Sequence, residues 1–219
     1  MAAVSTAIQR EVIQPSGNHL IFLSGVSWAT YKQLDEERGE QAGTRLTFSE
    51  GTLQIMAVGR EHERLNYYLA RLFDLLAETF DRDFVPAGST TFDRDDLEKG
   101  FQPDSCFYLT NVEAMRDKKE IDLATDPPPD LLLEIDITSS SLNRLPLFAA
   151  AGVPEVWRYK NGAIKIYRLH SGIYDESLTS QWFPTVNVEQ LADWLKSSRT
   201  MPHFKWLRTI RNELQAGKP

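Results

Sequence analysis

Cysteine is nearly absent from the sequence, with Cys106 the only one among 219 residues. A single cysteine excludes an internal disulfide and any cysteine-based zinc cluster. No apolar run approaches the roughly 20 residues that a membrane-spanning helix needs. Residues 1–10 also lack the apolar stretch of a signal peptide. These absences predict a cytoplasmic protein that does not enter a membrane.

Basic charge is also scarce, because 24 Lys and Arg residues stand against 31 Asp and Glu, a net charge of −7. Proteins that coat long nucleic acids by neutralising phosphates are usually basic, so this balance argues against a histone-like or coating role. An enzyme that contacts a few phosphates around an acidic, cation-loaded site stays compatible with this balance. Glycine-rich phosphate loops and the G-x-S-x-G motif are absent, which argues against nucleotide-driven chemistry and hydrolase triads.

Hydrophobic periodicity predicts a chain that mixes helices and strands. Residues 60–80 carry apolar side chains at three- and four-residue steps, which indicates a long amphipathic helix. Residues 131–138 form a short apolar run between prolines and serines, which is typical of a buried strand. Asn161 and Gly162 lie between two further apolar runs and predict a hairpin. The order of elements predicts an α/β or α+β fold with one central sheet.

The two ends of the chain differ in character from its middle. Residues 1–24 contain a turn signal at Pro15, Ser16 and Gly17, and we expect a loose N-terminal arm there. Residues 197–219 are rich in basic side chains and predict a C-terminal helix. Residues 25–196 are therefore expected to form the functional domain.

Three acidic residues lie in or beside predicted strands. Asp104 directly follows Pro103, and Glu134 and Asp136 lie two apart within the apolar strand. The two-residue period of a strand puts Glu134 and Asp136 on one face of the sheet. Buried neighbouring carboxylates repel each other and lose hydration, and a hard divalent cation such as Mg²⁺ or Mn²⁺ removes both penalties. This pattern indicates a metal site.

A purely structural interpretation of the same acids is also open. A buried Glu134 pairs equally well with Arg144 or Arg158, and Asp136 is placed to cap the serine-rich turn that follows it. An isolated Glu-x-Asp favours that interpretation. The addition of Asp104, thirty residues upstream, favours the metal site, because the spacing suits two neighbouring strands and a connection.

Six segments of the sequence together form a recognisable set of motifs. They are Glu50-Gly51, Arg60-Glu61-His62-Glu63, Phe101-Gln102-Pro103-Asp104 with Phe107, Pro129-Asp130-Leu131-Leu132-Leu133-Glu134, residues 143–151, and Gly152-Val153-Pro154-Glu155-Val156-Trp157. With these motifs the chain resembles, over roughly residues 25–195, the Uma2-like (DUF820) proteins. Those proteins are common in cyanobacteria and are assigned to the PD-(D/E)XK, restriction-endonuclease-like superfamily.

The resemblance implies a mixed central β-sheet flanked by helices, a bound Mg²⁺ or Mn²⁺, and cleavage of DNA phosphodiester bonds. Asp104 matches the first acid of the superfamily motif, and Glu134 matches the second. The lysine that usually follows two residues later falls at Asp136, so this chain departs from the pattern. In Uma2-like proteins that lysine has moved to the next helix, where this chain has Arg144 followed by Phe148.

The change from lysine to arginine bears on the expected chemistry. Arginine stays charged and does not take a proton from water, although it binds phosphate bidentately. Metal and phosphate binding therefore remain expected, while efficient hydrolysis is in question. The resemblance also assigns a possible metal role to Glu50 at the predicted hairpin bend. It assigns His62, at the start of the long helix, a role on water or phosphate.

The leading hypothesis is a metal-dependent endonuclease in which Asp104, Glu134 and Asp136 hold the ion and Arg144 clamps the phosphate. The second is a catalytically inactive relative that binds nucleic acid or a protein partner. A third, a glycosidase built on a carboxylate pair, fits less well because Glu134 and Asp136 are too close along one strand. DNA is the expected partner, and a homodimer is left open because nothing in the sequence specifies an interface.

Overall fold

The computed structural model describes residues 9–13, 19–39, 43–137 and 143–217. Within these ranges the strands form two six-stranded sheets. The strands are β1 (Gln9–Ile13), β2 (His19–Ser24), β3 (Thr44–Ser49), β4 (Thr52–Ala57), β5 (Val85–Pro86), β6 (Phe92–Arg94), β7 (Lys99–Phe101), β8 (Ser105–Tyr108), β9 (Leu131–Asp136), β10 (Glu155–Lys160), β11 (Ala163–His170) and β12 (Ile173–Ser177).

Six α-helices accompany the strands in the described part of the chain. They are α1 (Trp28–Arg38), α2 (Arg60–Thr79), α3 (Val112–Met115), α4 (Leu145–Ala150), α5 (Val188–Ser197) and α6 (His203–Ala216). Ser27 caps α1, because its hydroxyl accepts the amide hydrogen of Thr30. None of the helices in these ranges has the length and apolar character needed to span a bilayer.

The first sheet has the order β1-β2-β4-β3-β7-β6, and all its neighbours are antiparallel. The second has the order β12-β11-β10-β9-β8-β5, with β9 and β10 parallel and the other neighbours antiparallel. The predicted α+β class with a mixed sheet flanked by helices is confirmed. The sequence predicts one central sheet, whereas the structure has two. The difference arises because periodicity identifies strands but not which strands pair with each other.

The N-terminal segment differs from the loose arm that the sequence predicts. Its described residues form β1 and β2, and β2 pairs with β4 from His19 opposite Ala57 to Ser24 opposite Thr52. Leu20 of β2 is fully buried, so this apolar strand covers the side of the β3–β4 hairpin. The turn predicted at residues 15–17 lies outside the described residues.

The central strand β9 separates two hydrophobic cores. Leu131, Leu133 and Ile135 face a core made with α2, α5 and α6. Leu132 faces a second core that includes Phe101 from the first sheet and residues of α4. Alternate side chains of β9 therefore face opposite sides, as its two-residue period predicts, and Glu134 and Asp136 face the side of the first sheet.

Gly100 marks a close approach within the first sheet. A methyl group at this position would overlap the hydroxyl of Tyr31 and the carboxylate of Asp93, which hydrogen-bond to each other over 2.8 Å. Because Tyr31 is fully buried and stacks on Phe48, it has little room to move. We expect Gly100→Ala to lower the free energy of unfolding by about 1–3 kcal/mol. Urea denaturation measures this change, and an unaltered midpoint would show that the two side chains move aside without cost.

Candidate active site

Asp104 lies directly before β8 and faces the neighbouring strand. Its side chain is fully buried, and its Oδ2 accepts a hydrogen bond of 2.8 Å from the backbone amide of Ile135. Ser105 pairs with Leu133 in the antiparallel register, so Asp104 lies beside Glu134 on the adjacent strand. The chain thus brings together two acids that are thirty positions apart in sequence.

His62, in the first turn of α2, is completely buried against Asp104. Its Nε2 lies 3.2 Å from Asp104 Oδ2. Neither ring nitrogen of His62 has a hydrogen-bond partner among the described residues. Arg45 of β3 approaches from the other sheet, with its Nε 3.9 Å from Asp104 Oδ1. Burial alone would raise the pKa of Asp104, but the charges of His62 and Arg144 and the Ile135 amide outweigh it and lower the pKa.

Glu134 forms an ion pair with Arg144, the residue that precedes α4. Arg144 is held in place by a 3.1 Å hydrogen bond from Nη1 to the carbonyl of Gln102 and by the ring of Phe148, 5.6 Å from its guanidinium carbon. Burial lowers the pKa of Arg144 to about 10, which leaves the side chain charged at neutral pH. Of the two ion pairs that the sequence leaves open for Glu134, this is the one that forms.

Asp136 lies between two cations of the next strand. Arg158 donates from Nη2 to Asp136 Oδ2 over 2.5 Å, and Lys160 Nζ lies 3.1 Å from the same oxygen. The parallel register explains these contacts, because Arg158 pairs with Glu134 and Lys160 with Asp136. The serine-rich turn that Asp136 is alternatively expected to cap falls at residues 138–142, which lie outside the described part of the chain.

A small pocket of about 30 Å³ opens between the two sheets at this point. A pocket of this size has room for about two water molecules. Its polar lining comes from both sheets and from the start of α4: Gln54, Glu134, Asp136, Arg144 and Arg158. The acids of the second sheet are therefore enclosed by the first sheet.

The structure brings five of the six predicted site residues into this region. Asp104, Glu134, Asp136, Arg144 and His62 lie in or beside the pocket. Glu50, the sixth, is exposed at the bend between β3 and β4, where its backbone has a φ of 51°. It is absent from the pocket lining, so the geometry gives no support to a metal role for it.

Sequence reasoning missed three polar residues around the pocket. Gln54 is only 2% exposed and interrupts the apolar run of β4. A polar residue within an apolar strand is a pattern from which a site residue could have been predicted. Lys160 could also have been predicted from the sequence, because it ends the strand that begins within the motif at residues 152–157. Arg45 carried no such signal, since its contact with Asp104 depends on how the two sheets pack.

Residues 28–202 match the Uma2 family, which is described as "Putative restriction endonuclease". The chain belongs to the Uma2 family. The resemblance drawn from the sequence motifs is thereby confirmed. No curated protein matches this Uma2 family member.

A solved structure gives an independent comparison of the fold. The crystal structure of a "putative nuclease belonging to DUF820" from Anabaena variabilis aligns with a TM-score of 0.53 at 12% sequence identity. The alignment covers 78% of this chain and 99% of that one. At this identity the match shows a shared nuclease-like fold.

Two carboxylates of this family member supply buried oxygens that a small divalent cation would take. No group of three or more His, Cys, Asp and Glu side chains suited to a metal lies within the described ranges. Two buried carboxylate oxygens, Asp104 Oδ1 and Glu134 Oε1, nevertheless have no hydrogen-bond partner there. Because Mg²⁺ is commonly bound through one or two carboxylates and keeps several waters, these two oxygens suit it.

Proposed function

We propose that this Uma2 family member is a divalent-metal-dependent endonuclease that hydrolyses DNA phosphodiester bonds. The observation that carries the proposal is a pair of buried carboxylate oxygens, on Asp104 and Glu134, beside a buried arginine. Neither oxygen has a hydrogen-bond partner within the described ranges. Buried carboxylate oxygens without partners are costly unless a cation takes them. The description of the family points to the same activity.

Asp104 and Glu134 are the residues that would hold Mg²⁺ or Mn²⁺. The ion, when bound, supplies a water of lowered pKa and neutralises charge on the phosphate. Asp104 is oriented for this role by the amide of Ile135, which holds Oδ2 and leaves Oδ1 without a hydrogen-bond partner among the described residues. His62 lies against the same carboxylate, and we assign it a role on water or phosphate.

Arg144 is the proposed phosphate-binding residue. Its contacts with Gln102 and Phe148 fix the guanidinium at the pocket, and its charge is paired with Glu134. A guanidinium offers two parallel donors to a phosphate, so it is suited to stabilise negative charge as the bond to phosphorus breaks. It does not act as a base, because arginine keeps its proton.

Incubation with supercoiled plasmid tests the activity. We expect nicking in Mn²⁺ or Mg²⁺ and none after EDTA removes the ion. Asp104→Asn should lower the rate by about a hundredfold, because the neutral amide binds a cation weakly although it still accepts the Ile135 hydrogen bond.

Asp83→Asn is the matched control, because Asp83 is an exposed carboxylate paired with Arg116. It should nick as fast as the wild type. Equal nicking by the wild type and Asp104→Asn would identify a contaminating nuclease and refute the proposal.

A catalytically inactive relative that binds nucleic acid or a protein is the second candidate. The ion pair between Glu134 and Arg144 favours it, because the guanidinium already neutralises the acid that a metal needs. Calorimetry separates the two candidates. Mn²⁺ binding that is lost in Glu134→Gln, without cleavage of any polynucleotide, would favour the inactive protein.

A further inference from the structure

Two cations of β10, Arg158 and Lys160, form a row that contacts Asp136 of β9. Arg158 and Lys160 alternate with Tyr159 along the strand, so both face the same side of the sheet as Glu134 and Asp136. Both contact the same oxygen, Oδ2 of Asp136. Because one carboxylate balances only one positive charge, the group of Arg158, Lys160 and Asp136 keeps a net positive charge.

No second acid balances this excess in the part of the chain that the structure describes. Within 4 Å, Asp136 supplies the carboxylate for both Arg158 and Lys160. Lys165 on β11, which pairs with Arg158 across the strands, differs because it has Glu176 to itself at 2.8 Å. Of these three cations, the two that share one carboxylate both lie on β10, and Arg158 lines the pocket.

Side-chain exposure increases from the pocket outward. Arg144 is 10% exposed, Arg158 20% and Lys160 38%. The buried end is the arginine paired with Glu134, and the open end is a lysine that solvent reaches. In a protein with a net charge of −7, a row of cations with an exposed outer end and paired carboxylates at its inner end suits an anionic ligand that approaches from outside.

We propose that Arg158 and Lys160 bind successive phosphates of a nucleic acid strand and that Asp136 is a positioning residue for them rather than a metal ligand. The inference deepens the proposed function, since it names where the substrate backbone lies. A guanidinium binds phosphate oxygens bidentately, and the lysine ammonium adds a point charge at the entrance. Phosphate contacts carry no base information, so the row should bind strands of any sequence.

Binding is measured apart from cleavage, by fluorescence anisotropy of a fluorescein-labelled 30-base-pair duplex in EDTA. We expect Arg158→Ala and Lys160→Ala each to weaken binding about three- to tenfold, equally for two unrelated sequences. Each variant should also reduce the slope of log Kd against log salt by about one. Arg211→Ala is the matched control. Arg211 of α6 is paired with Glu78 of α2, and both helices pack on the opposite side of the sheet from the pocket.

Asp136→Asn separates positioning from simple charge. Removal of a negative charge would by itself tighten binding to a polyanion. We expect weaker binding instead, with recovery in Asp136→Glu, because the two cations lose their fixed position. Tighter binding in Asp136→Asn would overturn the positioning role.

The outcomes distinguish this inference from the proposed function. Unchanged binding and salt slopes in Arg158→Ala and Lys160→Ala, or no duplex binding by the wild type at low salt, would overturn the inference even if plasmid nicking is observed. Lost binding in both variants, without nicking by the wild type, would support the inference and leave only the catalytic proposal refuted. Lys160 is partly exposed, so its variant tests the row without disturbing the core.

Discussion

Glu134→Gln is expected to lower metal-dependent DNA cleavage by about a thousandfold. Glutamine has nearly the same shape as glutamate, so the strand and its neighbours remain in place. The amide replaces a buried oxygen, Oε1, that has no hydrogen-bond partner in the described residues and is suited to a cation. The loss of this charge removes half of the proposed carboxylate pair, which leaves Asp104 alone. Plasmid nicking in Mn²⁺ at several protein concentrations measures the rate.

The same variant has an effect on stability that must be measured separately. Arg144 loses its ion-pair partner in Glu134→Gln and stays charged in a buried position. An unpaired buried charge costs about 3–5 kcal/mol. Circular dichroism at the assay temperature shows whether the variant is folded while nicking is measured. Cleavage by the folded variant at the wild-type rate would contradict the role of Glu134.

Glu78→Gln is a matched control for this substitution. Glu78 also pairs with an arginine, Arg211 at 3.1 Å, but both partners are largely exposed. Exposed ion pairs contribute about 0–1 kcal/mol, and neither residue lies near the pocket. The control should therefore cleave DNA like the wild type and unfold at nearly the same denaturant concentration.

Local patterns predict the elements that carry the site. The two-residue period of β9 predicts that Leu133 and Glu134 face opposite sides, and the cores confirm it. The three- and four-residue steps of α2 predict the helix that carries His62 in its first turn. These features depend on neighbours along the chain, which is why the sequence is sufficient to find them.

The parts that depend on pairing between distant strands could not be predicted in the same way. From the sequence alone, Asp136 suits a metal ligand and an ion-pair partner equally well. Only the register of β9 with β10 shows that it contacts Arg158, which lies 22 residues further along the chain. Gln54 and Arg45 reach the site only because the first sheet packs over the second. Registers of this kind depend on long-range packing, which periodicity does not encode.

Glu50 illustrates a limit of motif matching. Its position before a glycine matches the family, but Glu50 and Gly51 both have a positive φ, of 51° and 72°. The bend of the β3–β4 hairpin accounts for this pair of residues, since tight turns favour glycine where φ is positive. The matched pair therefore marks a backbone turn in this chain, without placing the Glu50 side chain at the site.

Arg144→Met is expected to lower the free energy of unfolding by about 3–5 kcal/mol in metal-free buffer. Methionine keeps the apolar contact with Phe148 but removes the charge that neutralises Glu134. The carboxylate then lies buried at 4% exposure without its ion pair. Urea denaturation in EDTA measures the loss, and the linear dependence on denaturant gives the free energy.

Mn²⁺ should restore part of the stability of Arg144→Met, because a cation can replace the guanidinium at Glu134. A ligand present at about 100 times its Kd stabilises the folded state by about 2.7 kcal/mol. In the wild type the guanidinium competes with the cation for the same carboxylate, so the response to Mn²⁺ should be smaller. The difference between the two responses measures this competition.

Arg211→Met controls for the loss of an arginine from an ion pair, because Glu78 is exposed and needs no replacement cation. It should lose less than about 1 kcal/mol and respond to Mn²⁺ as the wild type does. If Mn²⁺ stabilises Arg144→Met no more than it stabilises the wild type and Arg211→Met, the cation and the guanidinium do not share Glu134. Glu134 would then be a structural partner of Arg144, and the proposed metal site shared by Asp104 and Glu134 would be refuted.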